Sequence, residues 1–371
     1  MQLIYFSAVP WASFAQRPHE FVHWAHERLD ARVLWVEPYP VRFPMIQDFS
    51  RPAVRSSQGM APPPWLELVT PHALPVEPAA WGRSLNRVLL GGVLRSAARF
   101  AEADSHTVIV VGKPSDLALQ AMKMLEGLRC VYDAMDDFPA FHEGSARATN
   151  AKIEREIVAR CAACSTSSSY LADRLRKGNV NIHLVPNGLA SQRMPDPRAD
   201  AAGDASFGYI GTLGAWFDWQ WIAELAQAWP SRRIEIHGPV FRAPDVALPA
   251  NVKLGPALPH DRALRTMATF AAGLIPFQQS ELTQSVDPVK YYEYRGLGLP
   301  VISTPFGEMR RHAVEDARLL LTEQPASCKE QVGRLLGGRD TAESVAAFRQ
   351  ANAWDVRFEP LAAVLGAPIP A

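Results

Sequence analysis

The chain has no excess of either charge. Its 38 Lys and Arg residues are matched by 38 Asp and Glu residues, so the formal net charge at pH 7 is +0. Proteins dedicated to nucleic acid usually carry a basic field over much of their surface. The composition therefore argues against nucleic acid as a partner.

The sequence also has no long apolar run. A membrane-spanning helix needs about 20 mainly apolar residues, and no segment comes near that length. The N-terminal stretch MQLIYFSAVPWASF has no basic residue ahead of its apolar part, whereas a secretory signal would have one. We expect a cytoplasmic protein, with a peripheral position at the inner face of the cytoplasmic membrane as a further option.

Cysteine is scarce, since four residues in a chain of 371 do not make a disulfide framework. Cys161 and Cys164 lie in a CAAC motif, which has the spacing of a redox or metal site. The second ligand pair that a zinc site needs is missing. We expect buried structural thiols.

What the sequence does contain is an alternation of short β-rich runs and longer helix-like stretches, with 48% hydrophobic residues to form cores. Strands that alternate with helices indicate parallel sheets with right-handed crossovers. The β-rich runs of the first series are 3–7, 32–38, 66–70, 107–112, 129–134, 162–167 and 181–188. Those of the second series are 207–211, 233–238, 251–255, 272–277, 299–304 and 317–322.

The two series predict two domains. Residues 189–205 are polar and aperiodic, so we predict a linker between domains at 1–188 and 206–350. Residues 351–371 form a last helical piece, broken at Pro360, that could cross back to the N-terminal domain. Parallel sheets bind ligands outside the carboxyl ends of their strands, so two facing domains would form a deep interdomain cleft.

The stretch SVDPVKYYEYRGLGLPVIST, residues 285–304, has the features of an anion site. Asp287 suits a helix N-cap and Pro288 the first turn, and Gly296 suits the helix end. The unpaired N–H groups at a helix start attract anions. Lys290 would add a full charge, so we predict a phosphate or diphosphate ligand.

Glu293 follows Lys290 on nearly the same helix face. A carboxylate at this distance from a diphosphate would accept hydrogen bonds from ribose hydroxyls, as an acidic residue does in dinucleotide sites. The pair therefore predicts a nucleoside-diphosphate site. An ordinary surface ion pair between positions i and i+3 is the alternative.

The same stretch resembles the donor-binding segment of GT-B glycosyltransferases, in which a P-x-K-x-x-E-Y helix precedes a G-x-P-V-I-S/A-T strand. FGYIGTLGAWFDWQWIAELAQAWP, RIEIHGP and NVKLGPALPHDRALRTMATFAAGLIPF extend the resemblance along the C-terminal half, and VPWASFAQRPHEFVHWA, VYDAMDDFPAF and HLVPNG along the N-terminal half. The resemblance implies an α/β fold of two facing Rossmann-like domains and a sugar-nucleotide donor. Val289 and Tyr292 then join Lys290 and Glu293 as expected donor-binding residues.

One position departs from this pattern. Retaining members of the family often carry Glu-x7-Glu here, and Ser285 occupies the place of the first glutamate. The outcome at the anomeric carbon, inverting or retaining, therefore stays open. The chain resembles both family 4 enzymes and the inverting glucuronosyltransferases of xanthan-type polysaccharide synthesis.

An acidic cluster follows the run RCVYDA at its carboxyl end. An inverting transferase needs a general base near the acceptor hydroxyl, and crowded carboxylates raise one pKa toward a useful value. We predict Asp136 or Asp137 as the base and a structural hydrogen-bonding role for Asp133. The alternative is that these aspartates only cap a following helical turn.

Other loops contribute further candidates. In GYIGTLG, Gly211 and Thr212 could bring backbone N–H groups to the β-phosphate, although G-x-x-G-x-x-G alone is a weak signal. Arg17 and His19 could contact the acceptor or the donor sugar, while His19 could equally be a satisfied helix-start residue. Because Lys290 and the helix start already stabilise a diphosphate, we predict no essential metal and no cofactor.

Residues 81–100, WGRSLNRVLLGGVLRSAARF, combine arginines with apolar residues at helical spacing. This pattern predicts either a basic amphipathic helix at an anionic membrane or an ordinary packed helix with outward arginines. The membrane interpretation would favour a lipid-linked saccharide as the acceptor.

Three functions stay open at this stage. The first is a glycosyltransferase that uses a nucleoside-diphosphate sugar, with UDP favoured, in exopolysaccharide, capsule or envelope synthesis. The others are a nucleotide-sugar epimerase and a non-catalytic nucleotide-sugar-binding partner. A dehydrogenase is remote, because no G-x-G-x-x-G follows the first strand of either half.

Overall fold

The computed structural model describes residues 1–43, 61–196, 206–338 and 340–366. The chain divides into two compact units. The first unit comprises Met1–Pro186 and Phe358–Ala371, and the second comprises Asn187–Arg357.

The first unit is built on a seven-stranded sheet in which every neighbouring pair is parallel. Its strands are β1 (Gln2–Phe6), β2 (Arg32–Val36), β3 (Leu66–Val69), β4 (Thr107–Val111), β5 (Arg129–Ala134), β6 (Ala163–Thr166) and β7 (Ile182–Leu184). Their order is β3-β2-β1-β4-β5-β6-β7. Strands β1 and β4 are buried along their whole length, as expected of parallel strands covered on both faces.

Helices cover this sheet. The α-helices are Arg17–Leu29, Ala80–Leu89, Gly91–Glu102, Asp116–Met124, Gly144–Arg160, Ser169–Leu175 and, near the C-terminus, Leu361–Val364. Ser115 and Ser168 cap two of them, each accepting a hydrogen bond from a backbone N–H three residues ahead. A short 3-10 helix, Phe138–Phe141, follows the acidic cluster.

The second unit is built on a six-stranded parallel sheet. Its strands are β8 (Phe207–Ile210), β9 (Ile234–His237), β10 (Val252–Gly255), β11 (Ala272–Ile275), β12 (Val301–Ser303) and β13 (Leu319–Leu321), in the order β10-β9-β8-β11-β12-β13. Its helices are Trp219–Ala228, His260–Met267, Glu281–Gln284, Val289–Gly296, Met309–Glu315, Lys329–Gly337, Ala342–Ala351 and Trp354–Phe358, the last of which ends on the first residue of the C-terminal part of the first unit.

The two parallel sheets confirm the predicted α/β fold class, and all thirteen β-rich runs of the sequence form strands. The segment predicted as a linker includes residues of the second unit. Leu189 is buried, and its N–H donates to Asn352 O at 3.0 Å, so residues 189–196 begin as part of the second unit. Residues 197–205 of that prediction lie outside the described residues.

Pro360 breaks the last helical piece as predicted, since one helix ends at Phe358 and the next begins at Leu361. The residues from Phe358 onward belong to the first unit. Phe358 lies edge-on to Phe21, with ring centroids 5.3 Å apart. Arg28 forms an exposed ion pair with Glu359 at 2.9 Å.

The 81–100 segment is not one helix. It forms the two helices Ala80–Leu89 and Gly91–Glu102, which meet at Leu90. The second helix packs Val93, Ala97 and Phe100 into the core. No helix within the described residues is long and apolar enough to cross a membrane.

Candidate functional site

The helix Val289–Gly296 begins one residue later than the sequence predicts. Pro288 occupies the N-cap position and no side chain caps this helix. The predicted N-cap role of Asp287 is therefore wrong. The helix end is close to the prediction, and Gly298, two residues beyond it, has a φ of 74° that favours glycine.

Asp287 instead holds a buried hydrogen-bond network together. One of its carboxylate oxygens accepts from Asn187 N–H at 2.7 Å and from Tyr292 O–H at 2.9 Å. The other lies 2.9 Å from His312 Nε2. Tyr292 is fully buried by this arrangement, so its predicted contact with the donor stays a prediction that the geometry does not favour.

Lys290 and Glu293 do form an ion pair, with 2.7 Å between Nζ and Oε2. The pair is not an ordinary surface pair, because the Glu293 side chain is 7% exposed and that of Lys290 is 25% exposed. Val289 is half-buried beside them. A half-exposed ammonium held by one carboxylate can exchange that partner for a bound anion.

The turn after β8 lies against Lys290. A Cβ atom built on Gly211 would lie 3.4 Å from Lys290 Cε and 2.7 Å from Tyr209 Oη. The predicted phosphate contact of the Gly211 N–H is wrong, because this group donates to His237 O at 2.9 Å. The Thr212 N–H, in contrast, has no hydrogen-bond partner within the part of the chain that the structure describes.

The position of this turn in the sheet agrees with ligand binding. Strand order reverses between β8 and β11, and such a switch point leaves a crevice at the carboxyl ends of the strands. Gly211 and Thr212 directly follow β8. The structure therefore brings Lys290, Glu293, Gly211 and Thr212 together at the crevice of the second unit.

Two side chains that sequence reasoning missed belong to the same neighbourhood. Burial lowers the pKa of His260; the negative charge of Glu293 opposes this shift, and the charges of Lys290 and Arg193 add to it. His260 begins a helix directly after the loop GPALP, which follows β10. A residue in that position, close to the carboxyl end of a strand, could have been recognised as a candidate. Arg193 lies in the segment predicted as linker, so no signal pointed to it.

In the first unit, Asp133 has the predicted structural role. It is fully buried and lies 2.8 Å from an Arg17 guanidinium nitrogen. Ser165 Oγ donates to it at 2.6 Å and Tyr5 Oη at 3.4 Å. The carboxylate is thus fixed by one charge and two hydroxyls at the end of β5.

The predicted acceptor contacts of Arg17 and His19 need correction, because both side chains lie in the interior. Arg17 pairs with Asp133 and donates to Val185 O at 2.8 Å. His19 Nδ1 accepts from Gln16 N–H at 3.2 Å, and Nε2 lies 3.2 Å from Trp11 O. His19 therefore has the helix-start role that was its alternative.

Asp136 and Asp137 differ in their surroundings. Asp136 is half-buried, and burial raises its pKa to about 7, with the Arg17 charge opposing the shift and the Asp137 charge adding to it. Asp137 is buried, 3.6 Å from Arg174 Nε. Its side chain does not cap the 3-10 helix that follows. The raised pKa of Asp136 suits a general base near neutral pH.

The cysteines agree with the sequence analysis. Cys161 and Cys164 are buried free thiols. Burial raises the pKa of both, to about 12 for Cys164. Within the described residues, no group of three or more His, Cys, Asp or Glu side chains could hold a metal ion.

Comparison with known proteins places these sites in context. No protein-family profile matches the chain. It is 30% identical over 169 residues to the provisionally assigned teichuronic acid biosynthesis glycosyltransferase TuaH of Bacillus subtilis strain 168. The match covers 41% of this chain and 42% of that protein, so the chain spans less than half the length of this relative.

Solved structures match over the whole chain. Sucrose-phosphate synthase from Thermosynechococcus elongatus has a TM-score of 0.67 and 15% identity, with 99% of each chain covered. An E. coli structure described as trehalose-6-phosphate bound with UDP-2-fluoro glucose has a TM-score of 0.62 and 12% identity, with 100% of each chain covered. With its two parallel sheets and these neighbours, the chain has the GT-B fold of glycosyltransferases.

Proposed function

We propose that this protein is a glycosyltransferase that moves a sugar from a nucleoside-diphosphate sugar to a saccharide acceptor in cell-envelope polysaccharide synthesis. The observation that carries the proposal is the position of Lys290 against the Gly211 turn at the carboxyl end of β8. The GT-B fold and the similarity to a protein named for teichuronic acid biosynthesis support it.

The donor diphosphate would bind between Lys290 and the Thr212 N–H. Lys290 Nζ would turn from Glu293 to the phosphate oxygens, and the positive end of the helix Val289–Gly296 would add to the attraction. Glu293 would then be free to accept from ribose hydroxyls. UDP is the favoured nucleotide, since one neighbour of the same fold is bound to a UDP-sugar.

Transfer requires one proton to leave the acceptor. We assign this proton to Asp136, whose carboxylate is the active form above pH 7. The acceptor oxygen then bonds to the anomeric carbon as the bond to the diphosphate breaks, and Lys290 stabilises the charge on the departing nucleotide. This direct displacement inverts the anomeric configuration and uses no metal.

Donor binding is tested by isothermal titration calorimetry of UDP, GDP and dTDP, with and without EDTA. We expect one nucleotide, UDP, to bind equally in both buffers. Binding that EDTA abolishes would overturn metal independence, and no binding of any nucleotide would overturn the function. NMR of the donor sugar distinguishes transfer from epimerisation, which needs no acceptor.

The base is tested by the pH dependence of kcat/KM in wild type and Asp136→Asn. Wild-type activity should fall as pH drops below about 7, because the carboxylate becomes protonated. Asp136→Asn should lose about 10²-fold or more of kcat while UDP binding is unchanged. Asp173→Asn, an exposed aspartate of the same unit, is the control. Full activity of Asp136→Asn would refute this role.

The acceptor is proposed to be lipid-linked, with the protein peripheral at an anionic membrane. The helix Ala80–Leu89 exposes one apolar face, with Trp81 64% and Val88 79% exposed. Arg83 and Arg87 contribute less to membrane attraction than the sequence predicts. Arg87 pairs with Asp116, and Arg83 donates to backbone carbonyls.

Vesicle flotation tests this surface. Wild type should float with phosphatidylglycerol vesicles, and the double variant Trp81→Ser, Val88→Ser should not. Met124→Ser removes an exposed apolar side chain elsewhere on the first unit and should leave flotation unchanged. Equal flotation of wild type and the double variant would exclude this helix as the membrane contact.

A further inference from the structure

A second crevice lies in the first unit, apart from the acidic cluster. Strand order in its sheet reverses between β1 and β4, and ligands bind at such a switch point outside the carboxyl ends of the strands. A small pocket, with about 10 Å³ of free space, lies at these ends. Ser7 follows β1, Glu37 follows β2, and Lys113 lies two residues beyond β4, and all three line it.

Most polar side chains of this pocket are already engaged within the protein. These are Ser7, bonded to the backbone of Val9; Glu37, which accepts from Trp11 N–H; Tyr39, which donates to Glu77 at 2.5 Å; and Ser115, which caps a helix. Lys113 differs from them. Its ammonium has no hydrogen-bond partner in residues 1–43, 61–196, 206–338 and 340–366.

An unpartnered ammonium in a half-buried position is costly, because it has lost part of its hydration without gaining a partner. Burial lowers the pKa of Lys113; the Glu77 charge opposes that shift and the Arg42 charge adds to it. An anion bound at the pocket would replace the lost hydration. Lys113 is therefore suited to a ligand that brings negative charge.

The charges around Lys113 favour an anion as well. Burial raises the pKa of Glu77 to about 7 and also raises that of Glu37, so these carboxyls repel an incoming anion less than ordinary ones would. His142 lies close enough for the charges of Lys113 and Arg42 to lower its pKa, an effect that adds to burial. A bound anion would oppose that influence.

We infer that this pocket binds an oxyanion, a phosphate or a carboxylate, carried by the acceptor saccharide. The inference rests on the proposed function, and it extends it by giving the acceptor a charge. The free space of about 10 Å³ is roughly the room for one water-sized group. The pocket therefore receives the charged group alone, and the rest of the sugar lies outside it.

The test is calorimetric titration of glucose 1-phosphate, glucuronate and glucose into wild type, Lys113→Gln, Lys113→Arg and Lys123→Gln. One of the two anions should bind at least tenfold more tightly than glucose, and which one does so distinguishes phosphate from carboxylate. Lys113→Gln should weaken that binding at least tenfold. Lys113→Arg, which keeps the charge, should stay within about threefold of wild type, as should Lys123→Gln, an exposed lysine of the same unit.

Two further arms separate this site from the donor site. Lys290→Ala should bind the anion as wild type does, and Lys113→Gln should bind UDP as wild type does. The inference is overturned if neither anion binds better than glucose, if Lys113→Gln binds it unchanged, or if Lys290→Ala loses it instead. Failure of UDP to bind any variant counts against the proposed function alone, because the anion titrations are read separately.

Discussion

Replacement of Lys290 by Ala removes the only side-chain charge that the proposal assigns to the donor diphosphate. In the free protein this lysine is paired with Glu293 at 2.7 Å. To bind a diphosphate it must give up that pair, so the affinity that it contributes is the difference between two interactions rather than the whole of one.

The net contribution of Lys290 is set by two interactions. A hydrogen bond to a charged group contributes about 1.5–3 kcal/mol. An exposed helix pair contributes about 0.3–0.5 kcal/mol, and the largely buried pair with Glu293 contributes at least that much. The net contribution to UDP binding is therefore at most about 2.7 kcal/mol. Since each 1.4 kcal/mol corresponds to tenfold in Kd, Lys290→Ala should weaken UDP binding by up to about 100-fold.

The assay is calorimetric titration of UDP, with Lys253→Ala as the matched control, since Lys253 is an exposed lysine of the same unit. A loss of folding could mimic a loss of affinity, because Lys290→Ala leaves the buried Glu293 without its pair. The double variant Lys290→Ala, Glu293→Gln removes that unpaired charge. It should regain thermal stability without regaining UDP affinity. Wild-type affinity in Lys290→Ala would refute the assignment of this lysine.

Three further predictions concern the framework around the sites. Arg17→Met should lower the free energy of unfolding in urea by about 3–5 kcal/mol, because it leaves Asp133 as a buried unpaired charge. Arg28→Met, which breaks an exposed pair, should lower it by less than about 1 kcal/mol. Equal losses in the two variants would contradict this prediction. Cys164 should resist labelling by iodoacetamide at pH 8 until the protein unfolds, since burial raises the pKa of its thiol to about 12. Peptide mass spectrometry measures the labelling. Rapid labelling of the folded protein would count against a buried thiol. Gly208→Ala should destabilise the second unit by about 1–3 kcal/mol, because the added Cβ would lie 2.0 Å from an aromatic ring; an unchanged urea midpoint would show that the ring can move aside.

The strands were predictable because their burial can be recognised from a short segment of sequence. A parallel strand covered on both faces is a short, almost continuous apolar run, as in TVIVV at 107–111, where every residue is buried. The position of Gly211 beside Lys290 followed from topology, since the carboxyl ends of parallel strands meet at one edge. For these features the local sequence and the fold carry the same information.

The errors share a different physical cause. Asp287 has good N-cap propensity, yet its carboxylate accepts from Asn187, which is 100 residues earlier in the chain. Arg17 was assigned to the acceptor, yet it pairs with Asp133, 116 residues later. Which partner a charged side chain finds across such separations depends on the assembled fold, and no local pattern in a single sequence records it.

The two proposed anion sites follow one rule, applied in each unit. Where strand order reverses, the crossovers on either side leave in opposite directions, so the carboxyl ends of the two central strands are left uncovered. Lys113 follows the central strand β4 of the first sheet, and Lys290 lies against the turn after the central strand β8 of the second. A lysine at such a point is partly dehydrated by the helices around it, which makes an anionic ligand its most favourable partner. The difference between the two lies in the partner of each lysine in the free protein. Lys290 has Glu293 at 2.7 Å to exchange, whereas Lys113 has no ion-pair partner within the described residues and is influenced by the charge of Glu77 without a hydrogen bond to it. An anion at Lys113 would therefore displace no hydrogen-bonded carboxylate.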